Sequence, residues 1–407
     1  MLYLGIDWSK DHHNLCILNE AGAVLSQLAI KHSVDGFSQL DLQRQRLGVR
    51  AAECLVAVET SYSILVDFLL DQGYSVYLIP PQATKGYRNR RQLSGAHTDD
   101  TDAALLASII RTDRDSHCLL RPNSPLTQHI VAQVRLIELL RRGIHRHSCQ
   151  LEAILMRTFP QAVGLFGKLT TQISLQFLSR YPTAEEAQAL SRSEFEAFCR
   201  EHRYSRPALI SRRYAQLKAS APEANPAAIE AYRDQVQILS TLLLPQVRQR
   251  AAAESLLQKL FVQHPDAYLF DSLPGAGPLL APSLLAKFGD HRDRFPTPAR
   301  VQATAGTCPV TQQSGRRRVV HFRYSCDKEF RRITQQFAKA SVVSSGWAYA
   351  YWRQVRPHVG SDSDAYRRLA NRWLAIIWKM WQDSKPYDES YHLNQRAKRS
   401  LPREQVS

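Results

Sequence analysis

Two apolar runs that each end in a carboxylate, residues 2–7 (LYLGID) and 54–59 (CLVAVE), constrain this chain more than any other feature. Both are of strand length, and each places an acid where the run stops. Residues 13–19 pair with the first run as a second strand, and 23–30 supply a third. Residues 36–46 and 64–72 have helical spacing, and the β-branched and aromatic run 74–80 is stopped by Pro80 and Pro81. Residues 98–111 read as a helix, with Asp residues in the first turn ahead of Ala103, Leu105, Leu106 and Ile109. Strands followed by alternating helices and strands predict a mixed α/β layer over residues 1–112.

The rest of the 407-residue chain reads differently, and a chain of this length exceeds the usual ~100–200 residues of one domain. Residues 113–265 predict a long helical, coiled-coil-like middle. Segments 130–156 and 227–260 carry apolar residues at helical spacing, with Pro245 as a kink or break. Such helices form a bundle or an oligomerisation arm. Residues 266–383 predict a mostly α-helical C-terminal domain. It has a helix–turn–helix candidate at 273–290, a loop region at 301–320, and helices at 329–344 and 365–381. The remaining segment, 384–407, reads as a basic, mobile tail.

Charge follows the same division. The formal net charge is +16, yet residues 1–112 hold 10 basic and 12 acidic side chains, and residues 291–407 hold 22 and 9. The basic surplus points to a polyanionic partner, and it belongs to the later part of the chain. Seven cysteines without a CxxC pair argue against a disulfide framework or zinc ribbon. No apolar run is long enough to span a membrane, and the N-terminus has no secretory pattern, so a cytoplasmic, nucleoid-associated protein is expected.

Four acids carry the chemistry. Asp7 and Glu59 end their strands, and Asp99 and Asp102 lie at i and i+3, on one helix face. Singly, each is an ordinary turn or cap residue. Together, in the order strand, strand, helix pair, they fit a magnesium site. Two such cations held roughly 3.5–4 Å apart stabilise the attacking and leaving oxygens of a phosphodiester. Lys85, Arg88, Arg90 and Arg91 form a basic loop nearby, either a nucleic-acid backbone contact or a solvated surface run.

Two further motifs lie in the basic part. Gly275 and Gly277, in LPGAG, fit a helix–hairpin–helix turn whose backbone N–H groups approach a phosphate. Ser314 precedes Gly315 and then Arg316, Arg317 and Arg318. By composition it is either a plain phosphate contact or a nucleophile supported by guanidinium charge.

The acid order resembles that of the RNase H/RuvC-like nuclease fold. The whole chain more closely resembles the DEDD transposases of the IS110 insertion-sequence family, the bridge-RNA-guided recombinases. The likeness is carried by GIDWSKDHH, VET at Glu59, TDDTDA at Asp99 and Asp102, and the later LPGAG and QQSG segments. The resemblance implies an RuvC-like domain holding Mg²⁺ through Asp7, Glu59, Asp99 and Asp102, and a second domain supplying Ser314 as the nucleophile. It implies donor and target double-stranded DNA as substrates, a structured bridge RNA as guide, and a homo-oligomer, dimer or tetramer, with a composite active site. The chain departs from the commoner family pattern downstream, where Val320, His321, Phe322, Arg323 and Tyr324 replace an I-S/T-K-x-G segment.

Three rivals differ in chemistry. A metal-only RuvC-like junction endonuclease would use the acids and water and leave no covalent adduct. A non-catalytic nucleic-acid-binding protein would carry the acids as structural groups. An actin-like sugar kinase would need Gly-rich phosphate loops after its strands, and the residues after Asp7 and Glu59 provide none.

Overall fold

The computed structural model describes residues 1–61, 63–91, 98–204, 206–220, 225–315 and 317–400. It divides into two compact units, Met1–Asn123 and Ser124–Ser407.

The first unit is the expected mixed α/β sheet. Strands β1 (Leu2–Trp8), β2 (His12–Leu18) and β3 (Val24–Lys31) run antiparallel as a meander. Helix α1 (Val34–Arg46) follows. Strand β4 (Cys54–Val58) then pairs in parallel with β1, helix α2 (Ile64–Asp71) crosses over, and β5 (Ser75–Leu78) pairs in parallel with β4. Helices α3 (Pro81–Arg91) and α4 (Asp99–Asp113) precede a two-residue edge strand, β6 (Cys118–Leu119). The strand order is β3-β2-β1-β4-β5-β6.

Alternation along the strands decides what each face buries. Leu4, Ile6, Val56 and Val58 pack with Phe37, Leu40, Leu65 and Leu69 of α1 and α2. Leu55 and Ala57 turn the other way, onto Leu106 and Ile110 of α4. Gly5 shares that second face. A Cβ at Gly5 would stand 2.0 Å from the Ala103 carbonyl oxygen and 2.3 Å from the Ala107 nitrogen. The missing side chain is what lets the backbone of α4 lie directly on β1. Residues 85–91, expected as a basic loop, instead belong to helix α3.

The second unit is mostly helical. Long helix α5 (Pro125–Thr158) leads to four shorter ones: α6 (Gln172–Arg180), α7 (Ala184–Gln188), α8 (Arg192–Glu201) and α9 (Pro207–Leu217). The second long helix, α10 (Pro226–Phe261), continues through Pro245 without a break. Proline removes one amide from the ladder, but Leu243 just before it is fully buried, so packing holds the helix together. Then come α11 (Ala267–Asp271), α12 (Gly277–Phe288) and α13 (Pro298–Thr304). A two-stranded ribbon, β7 (Val310–Ser314) and β8 (Arg317–His321), precedes α14 (Lys328–Ser344), α15 (Gly346–Val355), α16 (Asp362–Asp383) and α17 (Glu389–Ser400).

Helices α5 and α10 contribute to two separate cores. Ile144, Leu151, Val236 and Leu243 pack with Phe177, Phe195 and Phe198 of the short helices. Ile130, Val134, Leu257 and Phe261 pack with Phe288, Phe330, Trp373 and Trp381 at the other end. The segment expected as a loop, 301–320, is instead the end of α13 followed by the ribbon. After Ser384, Glu389 accepts a hydrogen bond from the Ser345 hydroxyl at 3.0 Å, fastening the start of α17 to α15. Among the described residues, no helix is long and apolar enough to cross a membrane.

Candidate functional site

The acids of the first unit are brought together by register. β1 and β4 run side by side in parallel with Ile6 opposite Val58, so Asp7 and Glu59 leave the sheet next to each other. Asp7 has the parity of Gly5, which puts it on the α4 side, and Glu59, one residue past β4, is near enough to raise the Asp7 carboxyl. Helix α4 begins at Asp99, capped by Thr98, whose side-chain oxygen accepts from the Thr101 amide at 3.3 Å. The close approach over Gly5 then carries Asp99 and Asp102, in the first turn of α4, to the same corner. Asp100 serves the scaffold: Asn14 Nδ2 on β2 donates to its Oδ1 at 2.6 Å.

Electrostatics reports the crowding. Asp7 is pushed up to about 6, first by burial and then by the charges of Asp102, Asp99 and Glu59, with Arg88 opposing them. Asp102, Asp99 and Glu59 therefore each lie close enough to Asp7 to raise it. Arg88 Nη2 donates to Asp102 Oδ1 at 2.7 Å, with the two side chains only 25% and 18% exposed. The Arg88 Nε is buried without a partner. Among the described residues, no three His, Cys, Asp or Glu side chains draw together into a ready-made metal cage. The donor set nevertheless fits a hard divalent cation, because it is all carboxylate and its like charges raise Asp7. Lys85 and Arg90 are exposed on α3, and Arg91 ends that helix with its side chain outside the described residues.

The glycine turn lies in the second unit. Gly275 has φ +79° and a Cβ there would stand 2.8 Å from the Ala340 carbonyl oxygen, so the turn packs its backbone against α14. Gly277, at φ +55°, opens α12 and faces free space. Beside this turn is a cavity of about 410 Å³ lined by Glu138, Arg141, Arg250, Pro278 and Arg332 among others. Glu138 is 8% exposed and accepts two hydrogen bonds from Arg141 at 2.8 Å each, while Arg332 lies 2.6 Å away. Burial raises the Glu138 carboxyl, but Arg141 and Arg332 outweigh it and hold the group below its usual range. No sequence signal marked this cluster, since its members come from α5 and α14.

Ser314 ends β7 and is exposed at the tip of the ribbon, next to Gly315 at φ +54°. Arg316 lies outside the described residues. Ser314 is paired directly with Arg317, and Gln313 with Arg318. Directly opposed residues of an antiparallel pair project on the same face. One face thus carries Ser314, Arg317, Gln312 and Val319, and the other carries Gln313, Arg318, Thr311 and Val320. Run length and charge gave no hint that Arg317 and Arg318 would divide in this way.

Two family models match the chain, one after the other. Residues 4–160 match a family model of DEDD, IS110-type transposases, and residues 267–353 match the transposase IS116/IS110/IS902 family. The chain is 29% identical over 395 residues to a protein of Streptomyces coelicolor named as the mini-circle transposase for IS117, covering 95% of each. It is 24% identical to a 44.8 kDa protein of insertion element IS116 from Streptomyces clavuligerus, over 97% of this chain and 98% of that one. It is 23% identical to the 43.6 kDa protein of insertion element IS110 from Streptomyces coelicolor, over 95% of each. With both family models matched in order and relatives similar from end to end, this chain belongs to the IS110 family of insertion-sequence transposases.

Proposed function

We propose that this transposase cuts and rejoins DNA with an RuvC-like carboxylate site and a serine nucleophile, guided by a structured RNA. The observation that supports it most is that Asp102, Asp99 and Glu59 all raise the carboxyl of Asp7 at one corner of the sheet. Mg²⁺, when bound there, would stabilise the attacking and leaving oxygens of a phosphodiester. Asp7 and Glu59 supply oxygens from rigid strand ends, and Asp99 and Asp102 from a helix whose position is fixed by Gly5.

Ser314 is the group that changes bonds. Its Oγ attacks phosphorus, an Oγ–P bond forms, and the bond from phosphorus to a deoxyribose oxygen breaks. The serine proton passes to solvent, and the departing oxygen takes one from solvent, so no oxidant or further reactant is needed. Arg317, on the same ribbon face, places positive charge beside the equatorial oxygens. Arg316 and Arg318 add phosphate contacts. Exposure at the ribbon tip suits a nucleophile that must reach a bulky duplex.

Gly275 and Gly277 are assigned a phosphate-contact role in a helix–hairpin–helix, and Lys85, Arg88, Arg90 and Arg91 a role along a guide or target backbone. Donor DNA, target DNA and a bridge RNA are the proposed partners. The proposed assembly is a homo-oligomer, dimer or tetramer, in which acids and serine come from different copies. The test is a denaturing-gel trap of a protein–DNA adduct with Mg²⁺ and guide RNA present. An adduct lost in both Ser314→Ala and Asp7→Ala supports the reading. DNA cleavage without any adduct would favour a metal-only endonuclease instead.

A further inference from the structure

Just past the end of the ribbon lies an aromatic pair that the proposed chemistry leaves unused. Val320, Phe322 and Tyr324 follow Arg318 at every second position and are 57%, 40% and 78% exposed. Single exposed apolar side chains are ordinary. A contacting pair on a fixed seat is not. The rings of Phe322 and Tyr324 lie 5.0 Å apart, edge to face at 72°.

Phe322 is held in place by two guanidiniums. The Arg331 Cζ lies 4.5 Å from its ring centre and the Arg367 Cζ 5.5 Å. Both arginines are tethered in turn. Arg331 donates to the Arg323 carbonyl, and Arg367 donates to the Thr307 carbonyl at 2.9 Å while pairing with Asp364. Tyr324 therefore rests on a rigid neighbour while most of its surface meets water. The local sequence is basic: between Asp293 and Asp327 it has six arginines and no acid.

The exposed face of Tyr324 beside guanidinium charge matches the two halves of a nucleotide, base and phosphate. A stacked duplex hides the faces of its bases, so only an unpaired or extruded nucleotide can use such a surface. We propose that Tyr324, seated on the edge of Phe322, forms a stacking platform for an unpaired nucleobase, with Arg318 against a flanking phosphate. This rests on the reading of the chain as one that handles nucleic acid, and it places base contact just past the His321 end of the ribbon, away from the tip that carries Ser314.

The test uses the full chain and short hairpin oligonucleotides carrying one bulged 2-aminopurine, or none, in DNA and in RNA. Anisotropy reads affinity, and 2-aminopurine fluorescence reads stacking. The wild type should prefer the bulged form and quench its fluorescence. Tyr324→Ala should cut that preference by about fivefold or more, and Tyr324→Phe should keep it. Loss confined to DNA assigns a DNA base, loss confined to RNA assigns an RNA base, and loss in both assigns a platform used by either strand. Ser314→Ala should leave these affinities unchanged, so the covalent chemistry can fail while the platform stands. No bulge preference in the wild type, or an unchanged one in Tyr324→Ala with both polymers, would overturn the proposal.

Discussion

Arg88 donates to Asp102 at 2.7 Å, and the same guanidinium draws down the Asp7 carboxyl that Asp102, Asp99 and Glu59 push up. One arginine on α3 thus balances part of a four-carboxylate corner, at the place where a divalent cation would have to sit. Any cation binding through Asp102 must compete with it.

That competition has a measurable sign. Arg88→Ala should bind Mg²⁺ more tightly, by a few-fold, since a half-buried ion pair is worth about 1 kcal/mol. Isothermal titration of both proteins decides it. Equal or weaker binding in the variant would show that Arg88 supports the cation site and does not compete for it.

The raised Asp7 carboxyl makes the metal-free protein sensitive to pH. Its value moves from 3.8 to about 6 on folding, so the folded state holds an extra proton between those limits. Stability linked to Asp7 is therefore greatest below about pH 4 and falls as pH rises through 6, by up to about 3 kcal/mol. Asp7→Asn should melt higher than the wild type at pH 7.5 without metal, and at the same temperature near pH 4. A melting-point difference that does not depend on pH would contradict this assignment.

Gly5 carries a stability prediction of its own. In Gly5→Ala the new methyl would meet the Ala103 and Ala107 backbone at 2.0 and 2.3 Å, and backbone cannot rotate aside. Helix α4 must lift from β1, at about 3 kcal/mol or more. Chemical denaturation measures the loss, and Mg²⁺ titration should show weaker binding because Asp99 and Asp102 move with the helix.

The ribbon register separates neighbouring arginines. Arg317 shares the face of Ser314, and Arg318 does not. Arg317→Ala should slow adduct formation about 100-fold, the usual scale for losing one charge-stabilising donor. Arg318→Ala should weaken DNA binding but leave the rate on bound DNA near that of the wild type. Single-turnover adduct trapping at saturating DNA distinguishes the two, and equal rate losses would count against the division of faces.

The sequence made the sheet and its acids legible because buried strands are apolar and short, and because an acid at a strand end breaks that pattern visibly. Gly5 was invisible as a constraint: one glycine in LGID does not say which helix will press on it. Arg88 was read as part of a basic loop because helix α3 has almost no apolar face, with Thr84 the one buried residue among those whose side chains are described. The ribbon escaped for a related reason. Both of its faces meet solvent, so Thr311–Ser314 and Arg317–His321 show no alternation of apolar and polar residues to reveal strands. Pro245 misled in the opposite direction, since its local cost was real but smaller than the packing on either side.

Helices α5 and α10 each have one end in the core built with α12, α14 and α16 and the other among the short helices α6 to α9. Neither core can melt alone without stripping the flank of a helix that the other still grips. Heat should therefore dissolve the Ser314-bearing part and the helical arm in a single cooperative step. By the same reasoning, excising the arm to obtain a smaller recombinase would lay bare Leu151, Leu155 and Leu243 along two long helices, and would yield a sticky fragment in place of a trimmed enzyme.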